Sequence, residues 1–167
     1  YAFYTAQSYR DADMPEKAIE WYAKRANLGG WYEEVYYSLL QIALLKIELN
    51  APLDEVQNLL LAAYEYRPQR AESLYHLARQ LRFHNKARLA YIYATVAANI
   101  PLSKDILFVD HAVYEWKAKE ELAMSANSVG NYQLCHDLCI ELLFNPAVPE
   151  PNRKLLLDNL KLAKEHL

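Results

Sequence analysis

The chain has 167 residues, 53% of them hydrophobic and only three of them glycine, so it can bury one continuous core and is too apolar to stay disordered. A net charge of −3 carries no footprint for nucleic acid or an anionic membrane surface, and the longest apolar stretches fall far short of a bilayer span. Two cysteines make no disulfide framework and fit a reducing, cytoplasmic setting.

Helical periodicity runs through the whole chain. In chain order the expected helices cover about 2–12, 15–28, 32–49, 53–66, 70–84, 86–99, 110–129, 131–144 and 150–166. Pro15 suits the first turn of the second helix, and Asn50-Ala51-Pro52 and Gly130-Asn131 read as turns. The last helix places Leu155, Leu156, Leu160 and Ala163 on one stripe with charges opposite, as a capping helix does. The chain opens on Tyr1 as if already inside a helix, which predicts a fragment of a larger protein.

An internal period organises these helices. A small residue, a second small or medium residue 12 or 13 positions on, and then a breaker recur four times. The sets are Ala6, Ala18 and Gly29-Gly30; Ala43, Val56 and Pro68; Ala78, Ala90 and Pro101; and Ala123, Cys135 and Pro146. The physical reason is close packing of two antiparallel helices, which approach only where small side chains face each other. Tyr9, Tyr22, Leu81 and Tyr132 are expected to fill the gaps beside them. Proline and glycine end the second helix of each pair. The first small residues lie 37, 35 and 45 positions apart, so the third interval carries an insert, residues 102–110. Its apolar run Ile106-Leu107-Phe108-Val109 is expected to fold back on the core, the alternative being an exposed docking strip.

The fold class is therefore all-α, an α-α superhelix of about four helix pairs plus a cap. It forms a single domain over 1–167, with repeats at about 1–30, 31–69, 70–102 and 110–147 and the cap at 149–167. With these spacings the chain resembles a tetratricopeptide (TPR) array. The matching residues are Leu74, Leu77, Ala78, Leu81 and Ala90 in LYHLARQL-x8-A, and Gly130, Tyr132 and Cys135 in VGNYQLC. Thr5 and Ala94 depart from the family pattern. Residues 3–46 and 64–79 also resemble a helical repeat region that follows family-2 (GT-A type) glycosyltransferase domains in larger microbial proteins. That resemblance implies an accessory region whose catalytic domain lies upstream.

No catalytic constellation, metal site or cofactor motif is expected. Asp11-Ala12-Asp13 has the letters of a transferase metal motif but lies at a predicted helix end rather than after a strand. Cys135 and Cys139 share a helix face and could offer two thiolates, yet they fall on core positions of the repeat and are read as packing residues. The five histidines are scattered, and three glycines leave no phosphate-cradling loop. The aromatic run from Trp21-Tyr22 through Trp31-Tyr32 to Tyr36-Tyr37 is read as the seam between the first two repeats, the alternative being contact with an N-terminal domain.

In a TPR-type array the first helix of each pair lines a concave groove. The residues expected there are Gln7, Arg10 and Asp11 in the first repeat and Tyr37 in the second. Glu72, Tyr75, Arg79 and Arg82 follow in the third, and Lys117 and Asn127 in the fourth. Arginine clamps carboxylates and tyrosine offers a flat platform with a polar tip. The expected function is a non-catalytic binding scaffold for a protein or peptide. The alternative is acceptor or carbohydrate binding, with a glycan or glycopeptide as ligand. Nucleic acid and membrane insertion are not expected, and the oligomeric state stays open.

Overall fold

In the computed structural model, which describes residues 1–167, every regular element is helical. The elements are α1 (Ala2–Asp11), α2 (Pro15–Asn27), α3 (Tyr32–Glu48), α4 (Leu53–Tyr66), α5 (Glu72–Phe83), α6 (Ala87–Asn99), α7 (Ala118–Ser128), α8 (Tyr132–Leu143) and α9 (Glu150–Glu165). A π-wound turn, Val113–Lys117, leads directly into α7. No helix is long and apolar enough to cross a membrane.

One turn closes all four hairpins. Asp13, Asn50, Asn85 and Gly130 adopt left-handed backbone, with φ of 56°, 53°, 58° and 81°. Each lies seven residues after the small residue of its first helix. Asp and Asn accept this region because their short polar side chains bond locally, and Gly has no Cβ to clash. The next residue donates its N–H five positions back: Met14 to Tyr9, Ala51 to Lys46, Lys86 to Leu81 and Asn131 to Ala126, all within 2.8–2.9 Å. This arrangement satisfies carbonyls that the helix end would leave unpaired. Asn131 then caps α8 by accepting the Leu134 N–H at 3.3 Å.

The chain groups into two compact units. Unit 1 is Tyr1–Gln69 with Ser103–Val109, and unit 2 is Arg70–Leu102 with Asp110–Leu167. Length alone suggests one undivided domain; the division falls at the expected boundary between repeats two and three. In unit 1, α1 packs on α2, α2 on α3 and α3 on α4. In unit 2, α5 through α9 pack in the same consecutive way, and α7 also touches α5 and α9.

The small-residue frame is the seam of both units. Ala6, Ala18, Ala43 and Val56 in unit 1, and Ala78, Ala90, Ala123 and Cys135 in unit 2, are none of them more than 2% exposed. Tyr22 and Leu81 are fully buried beside them, and Tyr9 and Tyr132 pack partly buried against the same cores. Cys135 and Cys139 are buried free thiols 4.0 Å apart, inside a cluster with Leu142, Leu156, Leu160 and Ala163. Burial pushes both thiols up, Cys139 to about 12, so they pack as small neutral side chains.

Four details differ from the sequence reading. Helix α5 starts at Glu72 rather than 70, because Arg70 and Ala71 are spent on a buried network described below. The first helix of the fourth pair, helical from His111, widens into the π turn at Val113–Lys117, where Val113 and Trp116 are both buried. On α9 only Leu156, Leu160 and Ala163 face the core. Leu155 points outward with Leu157 and Leu162, so the outer face of this helix is not purely polar. The aromatic run also divides: Tyr22, Tyr36 and Tyr37 are buried, whereas Trp31 and Tyr32 lie at the surface.

Candidate functional site

The first helices of the pairs carry the residues expected to meet a ligand, and each unit is described separately. In unit 1, Arg10 near the end of α1 is a hub. Its Nη1 donates to the Tyr37 hydroxyl at 3.0 Å, and to the Tyr22 hydroxyl and Gln41 Oε1 at 3.4 Å each. Its Nε and Nη2 donate to Asp11 Oδ1 at 3.1 and 2.9 Å. Burial pushes the Tyr22 phenol above its ordinary value, with the Arg10 charge pulling the other way. Tyr37 is buried under this hub, Asp11 is exposed, and Gln7 is half-buried.

The insert does fold back, and it does so onto the first-helix side of unit 1. The Phe108 ring sits 4.9 Å from Tyr37 and 6.3 Å from Phe3, nearly parallel to the latter. Glu33, one turn before Tyr37 on α3 and only 5% exposed, accepts the N–H groups of Ile106 and Leu107 at 2.8 and 2.7 Å. Arg67 donates to both oxygens of Asp105, Nε at 3.1 Å and Nη2 at 2.5 Å, and its guanidinium lies 4.3 Å over the Tyr32 ring. The hydrogen bond to Asp105 raises the Arg67 pKa further. Phe108 takes a left-handed φ of 45°, which costs an L-residue about 1–2 kcal/mol. Ile106, in the middle of the segment, is 82% exposed.

Unit 2 separates the expected residues more sharply. Glu72 opens α5 but is 1% exposed. Its carboxylate is held by the fully buried Arg70, with Nε to both oxygens at 3.1 Å and Nη2 at 2.8 Å. It also accepts the Tyr114 hydroxyl at 2.8 Å and the Asp110 N–H at 3.2 Å. Tyr114 in turn accepts the Ala71 N–H at 3.0 Å. Glu72 is therefore a core residue and not a ligand contact, a correction to the sequence reading. A buried charge is retained only when paired in this way. Arg82 is also engaged, with Nε to Glu121 Oε1 at 2.7 Å and Nη2 to Oε2 at 3.0 Å.

Arg79 lies three residues before Arg82 on α5 but differs in kind. It is exposed, rests 5.3 Å over the Phe83 ring and interacts with the Tyr75 side chain, with no carboxylate clamped on it as Glu121 is on Arg82. Tyr75, 8% exposed, lies one turn before it and meets the His76 ring edge-on at 4.9 Å. Burial, reinforced by the Arg79 and Lys117 charges, pushes His76 down to about 4. Lys117 is paired with Asp110 at 2.9 Å. Glu120 accepts both contacts from the Asn152 amide, at 3.1 and 2.9 Å, and burial raises its pKa. Asn127 donates to Asn159 at 3.0 Å.

The sequence reading missed Glu33, Arg67, Arg70, Tyr114, Asn152 and Asn159. The last two stand seven apart, two turns of α9, and that spacing was a legible cue. The pairings of Glu33, Arg67 and Arg70 left no periodic signal.

The paired helices, the recurring turn and the small-residue seam define a helical repeat protein, and its fold is TPR-like. The chain aligns over 99% of its length with the nearly identical TPR-like repeats of a kinesin light chain-like protein from Podosopora anserina, covering 84% of that chain at 16% identity with a TM-score of 0.64. A single-substitution variant of those repeats aligns over the same shares at 15% identity and a TM-score of 0.67. No family model matches the chain, and no curated protein matches it in sequence.

Proposed function

We propose that the chain is a non-catalytic interaction module that takes an extended peptide on the α5–α7 face of unit 2, anchored by Arg79. The observation that carries this reading is the pairing pattern. Arg82, Lys117 and Arg70 all have carboxylate partners, whereas Arg79 stands exposed without one. The Asn127–Asn159 and Glu120–Asn152 pairs supply amide and carboxylate edges. A guanidinium flanked in this way suits a peptide bearing an acidic side chain or C-terminal carboxylate. Buried neutral thiols at Cys135 and Cys139 support a cytoplasmic setting as part of the same proposal.

The test is selection from a displayed peptide library, followed by affinity measurement with Arg79→Ala. One charge-assisted contact of about 1.5–3 kcal/mol predicts a roughly 10- to 100-fold weaker Kd, with no change in helical content. Equal affinity in the variant would remove Arg79 from the site.

A second reading rests on the resemblance of residues 3–46 and 64–79 to the repeat region beside family-2 glycosyltransferases. In that reading the same face binds an acceptor or carbohydrate for a catalytic domain upstream. The Asn127 and Asn159 side chains would be the hydroxyl partners. Binding on a glycan array, lost on changing Asn127 and not Arg79, would favour it over the peptide.

A further inference from the structure

The segment Ser103–Val109 lies on unit 1 as a bound peptide lies on a receptor. It has no regular secondary structure; Leu107 packs against the apolar core of unit 1, and polar and aromatic contacts hold it on either side. Arg67 clamps the Asp105 carboxylate through two nitrogens. The buried Glu33 carboxylate accepts two consecutive backbone N–H groups, those of Ile106 and Leu107. Phe3 and Tyr37 hold the Phe108 ring. Two of these contacts recognise side chains, and one recognises two adjacent backbone N–H groups turned toward the same carboxylate oxygen. Ile106, between them, faces solvent. The cradle therefore reads an acidic residue, two free amide N–H groups and, three positions on, an aromatic ring.

We infer that this cradle is a peptide-binding site for a partner segment of the form Asp-x-x-Phe, which the chain's own residues 105–108 occupy in its absence. The charges are complementary, since Arg67 faces the acidic position and Glu33 faces backbone donors. The cradle is built from α1, α3 and the end of α4, so it does not depend on the segment for its own backbone. A free peptide can also present its aromatic ring without the left-handed φ that Phe108 adopts where the chain turns toward residue 111. The resident segment competes from an effective concentration of order millimolar, so it weakens rather than forbids entry. This inference extends the peptide-binding reading to a second surface. It shares no residue with the Arg79 face, so either can fail alone.

The experiment uses the full chain and a fluorescent peptide of its own residues 102–110, LSKDILFVD. Changing Asp105 and Phe108 together to Ala weakens the resident segment. The labelled peptide should then bind at least tenfold more tightly than to the unaltered chain, and adding Arg67→Ala should remove at least tenfold of that affinity. A peptide with Asp and Phe interchanged should bind neither. No tighter binding by a helical D105A/F108A chain overturns the inference, as does equal binding of the interchanged peptide. A dimer that excess peptide does not disperse also overturns it, because the occupant would then be a second copy. Should the double variant fail to fold, amide exchange in the unaltered chain decides. Millimolar peptide should speed exchange at Ile106 and Leu107, and unchanged protection there overturns the inference.

Discussion

The two units are built from the same hairpin and treat their first-helix faces differently. In unit 1 that side is covered by a segment from a distant part of the chain, held by Glu33, Arg67, Phe3 and Tyr37. In unit 2 the comparable side is held mostly by its own side chains: Arg70 with Glu72, Arg82 with Glu121, and Lys117 with Asp110. The difference teaches that a charged residue on a repeat's inner helix is not thereby a ligand contact. Internal pairing takes most of them, and the remainder, Arg79, is the informative one.

The sharpest break in this comparison is predicted at Arg70. Replacing it with Met leaves Glu72 charged and buried without its partner, and should cost about 3–5 kcal/mol in urea unfolding. A loss under about 1 kcal/mol would mean that the network is not the keystone of unit 2. Next comes the shared seam. Ala78→Leu in unit 2 and Ala43→Leu in unit 1 insert bulk where helices touch, and each should cost about 1–3 kcal/mol. A neutral result in either unit would show that its seam is loose.

His76 gives a unit-specific pH dependence. Its folded pKa of about 4 lies below the unfolded value near 6.5, so on acidification the unfolded chain takes up the proton first. Stability from this group is full above about 6.5 and falls as pH drops toward 4, by roughly 1–3 kcal/mol. Thermal unfolding across that window should be less acid-sensitive in His76→Gln, and parallel curves would refute the burial. The smallest effect belongs to Arg79→Ala. Its side chain stands exposed over the Phe83 ring, so Tm should move by no more than the equivalent of about 0.5 kcal/mol while ligand affinity falls.

The fold was legible because it rests on local, repeated requirements. Ala6, Ala43, Ala78 and Ala123 are small where helices cross, and their spacing carries the hairpins without any long-range information. The left-handed Asp13, Asn50, Asn85 and Gly130 repeat with the same intervals, a signal visible once the turn type is known. The sites were less legible because pairing is a tertiary fact. Nothing local distinguishes Arg79 from Arg82, since only the position of Glu121, 39 residues on, makes one paired and one exposed. Glu33 looks like a surface acid at a helix start, and only the return of residues 106 and 107 buries it. The π turn at Val113–Lys117 is likewise absent from the helical periodicity, which reads the segment as ordinary α-helix.

The pattern of arginine pairing is open to one direct measurement, hydrogen exchange at the arginine Nε–H groups by nuclear magnetic resonance. In the free chain, Arg67 and Arg82 should show slow exchange because each donates Nε–H to a carboxylate, and Arg79 should exchange at the rate of a solvated guanidinium. Slow exchange at Arg79 would contradict the exposed anchor of unit 2, rapid exchange at Arg67 the covered side of unit 1, and rapid exchange at Arg82 the pairing that sets it apart from Arg79.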